Sequence, residues 1–484
     1  MRLGRVDCTM GPLSQTLVML MSADPKESRE LAGRELRALF DWTADAASRP
    51  LPPAAQRRAA TILADDIGAI IAGSREPQVE KARAGFLATA SGAREATVFA
   101  RAGATTDRAA AACANGMAIT WCELDEGFRL ASCHGGAYAI PALLAEAEAR
   151  GLTTSEVVRA VALAYEFTTR IALAYPFPGF YVHPHAAFAT IGAAVAVSLV
   201  RGHSADTMQA AVTGAASMTF AGPFDTAVEG SLVRNGWTAA GAWIGMQACN
   251  WAEAGIGGGL HTIHDVFATS FRTRVRLEAL TAGLGEAWSV ASGYHKMFAC
   301  CNYAHAAVEA CLQLRQRLDG RSVDDIREIV VEAGPSGLAL SAVEPETVLS
   351  AKFSMPHAVA ATTRLGTGGA SAFTFDTLAD PGISGLRKRV RLVPCAEAGP
   401  PPRDRPGRVT WTFTDGASLT EFVLNPRGGA DQPFDEPSLI AKLADNAAGD
   451  CPRAAVELAA VIEGDALALA RSWRETATRI VAQA

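Results

Sequence analysis

The sequence lacks an excess of basic residues, a long hydrophobic run and any CxxC pair of cysteines. Its 44 Lys and Arg residues against 50 Asp and Glu give a net charge of −6, which argues against nucleic-acid binding, because such proteins carry a basic patch. The longest uncharged apolar stretch, about residues 186–200, is too short to span a membrane. The ten cysteines are scattered, and the adjacent Cys300 and Cys301 suit neither a zinc site nor a disulfide. Reduced thiols favour a cytoplasmic protein.

Several common enzyme motifs are missing too. The sequence contains no P-loop for nucleotide phosphates, no GxSxG serine elbow and no HExxH zinc helix. A glycine-rich run at residues 255–259 lacks a preceding strand, so it predicts the end of a helix rather than a dinucleotide-binding loop. Because these motifs are missing, the sequence gives no sign of nucleotide, serine-hydrolase or zinc-protease chemistry.

What the sequence does contain is alanine and glycine in helical patterns. Apolar residues recur three and four apart in residues 30–42 and 54–71, as in amphipathic helices. After about residue 270 the pattern changes: residues 326–333 alternate like a strand, and Asp415-Gly416 joins two further strand-like runs in a hairpin signature. From residue 437 to the end the pattern is helical again. The chain is long enough for two domains.

These patterns predict a mostly α fold with an α+β module inserted into it. We expect four segments: a leader at residues 1–30, a helical domain at 31–270, an α+β domain at 271–434 and a C-terminal return to the helical domain at 435–484. The leader has a six-residue apolar core behind Arg2 and Arg5, which is short for a signal peptide, so we expect disorder there.

One acidic loop stands out as a candidate for proton chemistry. Glu123, Asp125 and Glu126 are followed by His134, directly before a small-residue turn and an apolar helix. Titratable groups on a loop beside a rigid helix are typical of acid–base catalysis. A solvated acidic loop with a capping histidine would give the same pattern. His183 also precedes a helix, where the helix dipole favours the neutral imidazole and hence an available base.

The order of short motifs along residues 34–480 resembles the MmgE/PrpD family, which includes 2-methylcitrate dehydratase and cis-aconitate decarboxylase. The matching stretches are IAG at 71–73, NG at 115–116, the acidic loop, YE at 165–166, GWTAA at 236–240, KMFACCNYAH at 296–305 and AKFSMP at 351–356. The resemblance implies an all-helical domain that is discontinuous in sequence, an inserted α+β lid, a cleft between them and a homodimer. It also implies lyase or isomerase chemistry on small polycarboxylates, without a metal or a cofactor.

The resemblance carries site residues over one at a time. The family's acidic loop corresponds to Glu123, Asp125 and Glu126, its two helix-start histidines to His134 and His183, and its lid lysine to Lys296. Four positions depart from the family pattern. Gly127 replaces the loop threonine, Ser231 replaces a decarboxylase lysine with Arg234 as the nearest cation, Cys301 replaces a histidine found in some members, and His357 replaces a lid tyrosine.

From these residues we predict how a hydroxy acid would lose water. Lys296 and Arg234 hold the carboxylates, and His134 and His183 serve as base and acid in either order, with Asp125 orienting His134. The predicted substrate-binding residues are Glu123, Glu126, Arg234, His357 and Ser231. Cys301 is either a base of an epimerase or a buried small hydrophobe.

The predicted function is that of a hydro-lyase that acts on a 2-methylcitrate-like or alkyl-substituted hydroxy polycarboxylic acid, in a secondary pathway. The alternatives are an epimerase of a small dicarboxylate that uses Cys301 and a histidine, a cis-aconitate-type decarboxylase, and a non-catalytic dimer that binds carboxylates. We expect no nucleic-acid partner and no membrane association.

Overall fold

The first half of the chain is built mainly from helices in the computed structural model, which describes residues 24–101 and 103–483. The helices are α1 (Pro25–Ala46), α2 (Pro53–Gly73), α3 (Pro77–Ala88), α4 (Arg108–Ile119), α5 (Gly135–Arg150), α6 (Thr154–Ala174), α7 (Pro184–Arg201), α8 (Ala205–Ala216), α9 (Asp225–Val228), α10 (Val233–Glu253) and α11 (Thr262–His264). Two-residue strands lie between them: β1 (Ala96–Thr97), β2 (Thr105–Thr106) and β3 (Gly127–Phe128).

Helix α1 begins earlier than the sequence patterns predict. Its N-cap is Asp24, whose side chain accepts a hydrogen bond from the backbone N–H of Lys26 at 3.0 Å, and Pro25 occupies the first helical position. Residues 25–30, which we expected in a disordered leader, are therefore helical. The rest of the predicted leader, residues 1–23, lies outside the described residues.

The helical body is packed around α7, which contacts α5, α6, α8 and α10. Small residues allow the close approach of α10: a Cβ added at Gly241 would lie 2.5 Å from Ala189 Cβ, and one added at Gly245 equally close to Ala193 Cβ. Helix α7 is long and apolar enough to cross a membrane by composition, but 94% of its residues are buried inside the protein, as in a core helix.

The α+β module holds a four-stranded sheet that consists of β5 (Ile326–Ala333), β6 (Val390–Pro394), β7 (Gly407–Phe413) and β8 (Ser418–Val423). The strands lie in the order β6-β5-β7-β8. Strands β5 and β6 are parallel, whereas β7 is antiparallel to both β5 and β8, and Gly416 adopts φ +86° in the β7–β8 turn. The other elements of this half are β4 (Gly293–Tyr294), α12 (His305–Arg315), α13 (Pro335–Leu338), α14 (Val348–Lys352), α15 (Met355–Leu365), α16 (Phe375–Ala379) and α17 (Pro381–Arg387).

The chain then returns to the helical body. Its last helices are α18 (Glu436–Ala447), α19 (Ala454–Glu463), α20 (Ala466–Ala470) and α21 (Trp473–Val481). Helices α18 and α19 pack against α2, and α21 packs against α5 and α6. The predicted fold class, mostly α with a small α+β part, is confirmed, while the domain limits drawn from the sequence stay predictions.

Candidate active site

A small cleft, with a cavity volume of about 50 Å³, lies where the helical body meets the α+β module. Strand β3 of the acidic loop pairs with β4, with Gly127 opposite Tyr294, and this ladder brings the loop beside the segment that carries Lys296. The cleft is lined by Glu123, Phe128, Ser132, Cys133, His134, His183, Pro184, Phe224 and Arg234 from the body and by Tyr294, Lys296, Cys301, Asn302, Tyr303, Phe353 and Arg405 from the module.

His134 is held by two oxygen atoms of the acidic loop. Its Nδ1 lies 2.7 Å from Asp125 Oδ2 and 2.7 Å from the backbone oxygen of Glu126. Since both neighbours are acceptors, Nδ1 carries the hydrogen and Nε2 carries the lone pair. Asp125 is fully buried, which by itself raises the pKa of a carboxyl, but Lys296 and His134 outweigh burial and hold the pKa well below its usual range. The pair is therefore a carboxylate–imidazole dyad.

His183 is the N-cap of α7 and stays neutral. Its Nδ1 accepts the backbone N–H of His185 at 3.2 Å, and its Nε2 lies 3.3 Å from Arg234 Nε. Burial, followed by the charge of Arg234, lowers the pKa of His183 well below its ordinary value. A neutral imidazole has one N–H, so only one of these two contacts is a hydrogen bond, and the lowered pKa makes His183 a poor proton donor, which does not fit the acid role considered for it.

Glu123 bridges the two predicted cations. One of its oxygens contacts Arg234 Nη2, and the other lies 3.3 Å from Lys296 Nζ, which is also 3.4 Å from Asp125 Oδ1. Burial opposes the charge of Lys296, but Asp125 and Glu123 raise its pKa above the usual value, so the ammonium stays charged. Glu123 adopts φ +54°, the left-handed region that non-glycine residues rarely occupy and that is found at functional sites.

The cleft also contains groups that the sequence did not single out. Arg405 comes from the proline-rich loop before β7, is buried, and lies over the rings of Tyr303 and Tyr294 at 4.7 and 5.4 Å. Its Nη1 donates to Asn302 Oδ1. The sequence signal was weak, since an arginine in a run of prolines is typical of a surface loop. Arg405 is a third cation beside Arg234 and Lys296.

Cys301 lines the cleft, but its thiol is not suited to act as a base. Burial, together with the negative charge of Glu123, raises the pKa of Cys301 to about 11. The side chain is 7% exposed. At neutral pH the sulfur therefore keeps its proton, in line with the small-hydrophobe alternative rather than the epimerase base.

Three predicted substrate-binding residues do not line the cleft. Ser231 is exposed, one turn before the cleft-facing Arg234. His357 is buried inside the α+β module, where its Nε2 lies 3.0 Å from the Ala372 oxygen and its Nδ1 lies 3.0 Å from Arg387 Nη1. These positions followed from a linear match to the family, and the match did not reveal which way each side chain points.

Glu126, the third of these residues, lies beneath the cleft. It accepts hydrogen bonds from Gly136 N at 2.8 Å and from the Tyr165 hydroxyl at 2.9 Å, and its backbone N–H donates to Asp66 Oδ1 at 3.0 Å. Burial raises the pKa of Glu126 to about 8. A Cβ at Gly136 would lie 2.2 Å from an oxygen of Asp66, so only glycine fits between these two carboxyl groups.

A buried network below the cleft joins its two walls to the C-terminal helices. Lys442 of α18 donates to Asp65 Oδ1 at 2.6 Å and to the Leu124 oxygen at 2.8 Å, and Asp65 Oδ2 lies 2.7 Å from Nδ1 of His295. Leu124 lies between Glu123 and Asp125, and His295 precedes Lys296. The network therefore positions both segments of the candidate site.

Another buried histidine, His185, lies between His134 and His183. Its ring is 4.9 Å from that of His134 and 4.5 Å from that of His183, and its Nδ1 lies 2.9 Å from the Tyr138 hydroxyl. Its contacts indicate a structural role, because its ring packs between those of the two helix-start histidines.

The potential metal ligands that cluster among the described residues lie outside the cleft. Atoms of Glu332, Cys395 and Glu397 in the α+β module come within 4.8 Å of one another. Glu332 and Glu397 each pair with Arg408. In the cleft, Glu123 and Asp125 contact cationic side chains instead. The predicted absence of a metal and a cofactor stays a prediction.

Comparison with known proteins agrees with this architecture. The MmgE/PrpD N-terminal domain matches residues 37–269, and the MmgE/PrpD C-terminal domain matches residues 298–465. A cis-aconitate decarboxylase of Aspergillus terreus is 25% identical over 415 residues, which cover 80% of this chain and 84% of that protein. The cis-aconitate decarboxylase-like protein oryM of Aspergillus oryzae is 25% identical over 434 residues, which cover 84% and 88%. The chain belongs to the MmgE/PrpD family.

Proposed function

We propose that the chain is a cofactor-independent hydro-lyase that dehydrates a 2-methylcitrate-like or alkyl-substituted hydroxy polycarboxylic acid. Its family and its relatives point to an enzyme of the dehydratase or decarboxylase type. The observation that supports dehydration most directly is that His134, paired with Asp125, lines one cleft together with three buried cations. The cations are Arg234, Lys296 and Arg405.

Binding of the acid is the task of the cations. Several carboxylates cannot remain ionised in a partly desolvated cleft without positive partners, and an arginine can grip a carboxylate with two N–H groups. Lys296 and Arg405 belong to the α+β module and Arg234 to the body, so one polyanion would contact both sides of the cleft. A substrate with a single carboxylate would not engage cations on both sides of the cleft.

Proton removal is the task of His134. Its Nε2 lone pair accepts the proton on the carbon next to a carboxylate, and the negative charge that develops on that carboxylate is stabilised by Lys296 and Arg234. The imidazolium that forms lies directly beside the Asp125 carboxylate, 2.7 Å away. This is the orientation and charge compensation that a buried carboxylate supplies to a histidine base.

Loss of the hydroxyl completes the reaction. The carbon–oxygen bond breaks as the double bond forms, and the departing oxygen takes a proton to leave as water. We assign this proton to the His134 imidazolium of the first step, which returns the neutral base after each turnover. His183, neutral and beside Arg234, positions that guanidinium instead.

The test is an incubation with 2-methylcitrate while the ultraviolet absorbance of the product double bond is followed. Lys296→Ala is expected to lower kcat/KM at least about 100-fold, because it removes a charge-assisted contact to the developing enolate. Lys388→Ala is the matched control, since Lys388 is a 60% exposed lysine of the same module. Unchanged kinetics of Lys296→Ala would remove that residue from the site.

This incubation and a parallel one with cis-aconitate separate the alternatives. Decarboxylation is the second candidate, favoured by the names of the relatives, and would release carbon dioxide from cis-aconitate. Epimerisation would incorporate solvent deuterium without any rise in absorbance, and a non-catalytic binding protein would give neither signal. The proton held on Cys301 weighs against epimerisation through that thiol. The homodimer, the secondary pathway and the cytoplasmic location stay predictions.

A further inference from the structure

A second cavity shares part of its wall with the cleft. We call it the aromatic groove, and its cavity volume is about 490 Å³. It is lined by Leu130, Ala131, Ser132, Ala172, Leu173, Tyr175, Pro176, Phe177, Pro178, Gly179, Phe180, Val182, Pro184, Phe188, Phe224, Arg276, Tyr303, Pro335, Ser336 and Ala339. Four of these residues, Ser132, Pro184, Phe224 and Tyr303, also line the cleft.

The shared wall is built by stacked aromatic rings. Phe224 stacks on His183, with ring centroids 5.3 Å apart, and packs against Phe180 at 4.4 Å on the groove side. Phe180 also contacts Tyr303, whose hydroxyl lies 3.4 Å from Ser132 Oγ. Because the Ser132–Tyr303 hydrogen bond is long, it closes the wall between cleft and groove only weakly. An alkyl chain attached to a molecule in the cleft therefore has a short path into the groove.

The groove carries fewer charged side chains than the cleft. Among the described residues that line it, Arg276 is the one with a formal charge, and the others are mostly aromatic or aliphatic. The cleft next to it contains three cations. A polyanion alone would therefore fill the cleft and leave the groove unused. A molecule with an anionic head and an apolar chain would match both.

We propose that the aromatic groove binds an alkyl chain of several carbons on the substrate. This inference rests on the proposed function and narrows it from 2-methylcitrate-like acids to acids with a longer apolar substituent. The groove shares four lining residues with the cleft, Phe224 of the shared wall stacks on His183, and the mostly apolar side chains of the groove favour transfer of methylene groups from water. Each methylene buried there is worth roughly a fourfold gain in affinity.

Binding of unreactive analogues tests the groove apart from catalysis. Tricarballylates that carry a methyl, propyl or pentyl group lack the hydroxyl and cannot be dehydrated, so calorimetry on the intact protein reports binding alone. The dissociation constant is expected to fall about 100-fold or more from methyl to pentyl. A constant that stays within threefold across the series would overturn the inference.

The two hypotheses fail in different ways. Dehydration of 2-methylcitrate combined with no dependence on chain length would refute the groove and retain the proposed function. Tighter binding of longer chains without dehydration of any 2-alkylcitrate would refute the hydro-lyase and retain the groove.

Substitutions in the groove test whether the alkyl chain of the ligand binds there rather than elsewhere. Ala339 is an exposed residue of the lining, so Ala339→Trp fills the groove without disturbing the core. It is expected to lower the ratio of pentyl to methyl affinity at least tenfold, whereas Ala93→Trp, at an exposed position outside the groove, keeps the wild-type ratio. Leu130→Asp, at a 48% exposed position, gives a second variant with the same expected loss. Wild-type ratios in both folded groove variants would contradict the assignment.

Discussion

Replacing Asp125 by asparagine removes the charge that supports His134 while keeping the shape of the side chain. In the native protein Asp125 Oδ2 is 2.7 Å from His134 Nδ1, and Oδ1 is 3.4 Å from Lys296 Nζ. The backbone oxygen of Glu126 still accepts from Nδ1 in the variant, so the tautomer of His134 is retained. The substitution therefore tests charge compensation more than orientation.

The magnitude follows from the distance. A full positive charge on His134 exists only after proton transfer, and two unit charges about 4 Å apart interact by about 4 kcal/mol at the effective dielectric typical of protein sites. Loss of that interaction in the transition state lowers kcat by about 10³. KM is not expected to rise, because the variant makes the cleft more positive toward a polyanion.

The assay is steady-state dehydration of 2-methylcitrate at several substrate concentrations, which separates kcat from KM. Asp206→Asn is the matched control, since Asp206 is 81% exposed and pairs with a surface arginine. Circular dichroism and thermal unfolding of the variant test whether the buried substitution leaves the fold intact. A kcat within tenfold of the wild type, or a loss confined to KM, would refute the role of Asp125 as the counter-charge of His134.

Three further substitutions test other parts of the site. Cys301→Ser is expected to keep kcat within about threefold, because a thiol whose pKa is about 11 takes no proton at neutral pH; a large loss of kcat would restore the base role. Glu126 has a raised pKa of about 8, so the folded protein favours its neutral form, and this contribution to stability is lost as pH rises from about 4.5 to 8. Urea unfolding should therefore show Glu126→Gln equal in stability to the wild type at pH 4. At pH 9 the variant should be more stable by up to about 5 kcal/mol. Lys442→Met is expected to cost about 3–5 kcal/mol of unfolding free energy, since it leaves Asp65 buried with less compensation, and adding Asp65→Asn should recover part of the loss; no recovery would argue against the pair.

The helical body could be predicted from local patterns, because helix periodicity and cap residues are local properties. The strand at Ile326–Ala333 and the hairpin turn at Gly416 were also visible in the sequence. The order of the sheet was not, since β6 pairs in parallel with β5 across about 60 residues of intervening chain. The start of α1 was missed because Asp24 and Pro25 fall next to an apolar stretch that suggested a leader.

The candidate site was predicted in part, through the family resemblance. His134, His183 and Lys296, which the resemblance supplied, line one cleft together with Arg234, and their roles in catalysis stay predictions. Arg405 was missed because it reaches the cleft only through tertiary contacts of a loop. Local sequence also does not reveal which members of an acidic cluster point inward, and so Glu126 was taken for a ligand-binding residue although its carboxyl group lies in the core.

The bridge formed by Glu123 makes substrate binding an exchange reaction. An incoming carboxylate that takes Arg234 or Lys296 replaces a carboxylate of the protein itself, so only the difference between the two pairings contributes to affinity. An acid with one carboxylate gains little from such an exchange. An acid with two or three carboxylates would also reach Arg405, whose protein partner is not Glu123 but Asp404, 3.2 Å from its Nε. Discrimination by the number of carboxylates is thus built into the resting arrangement of charges.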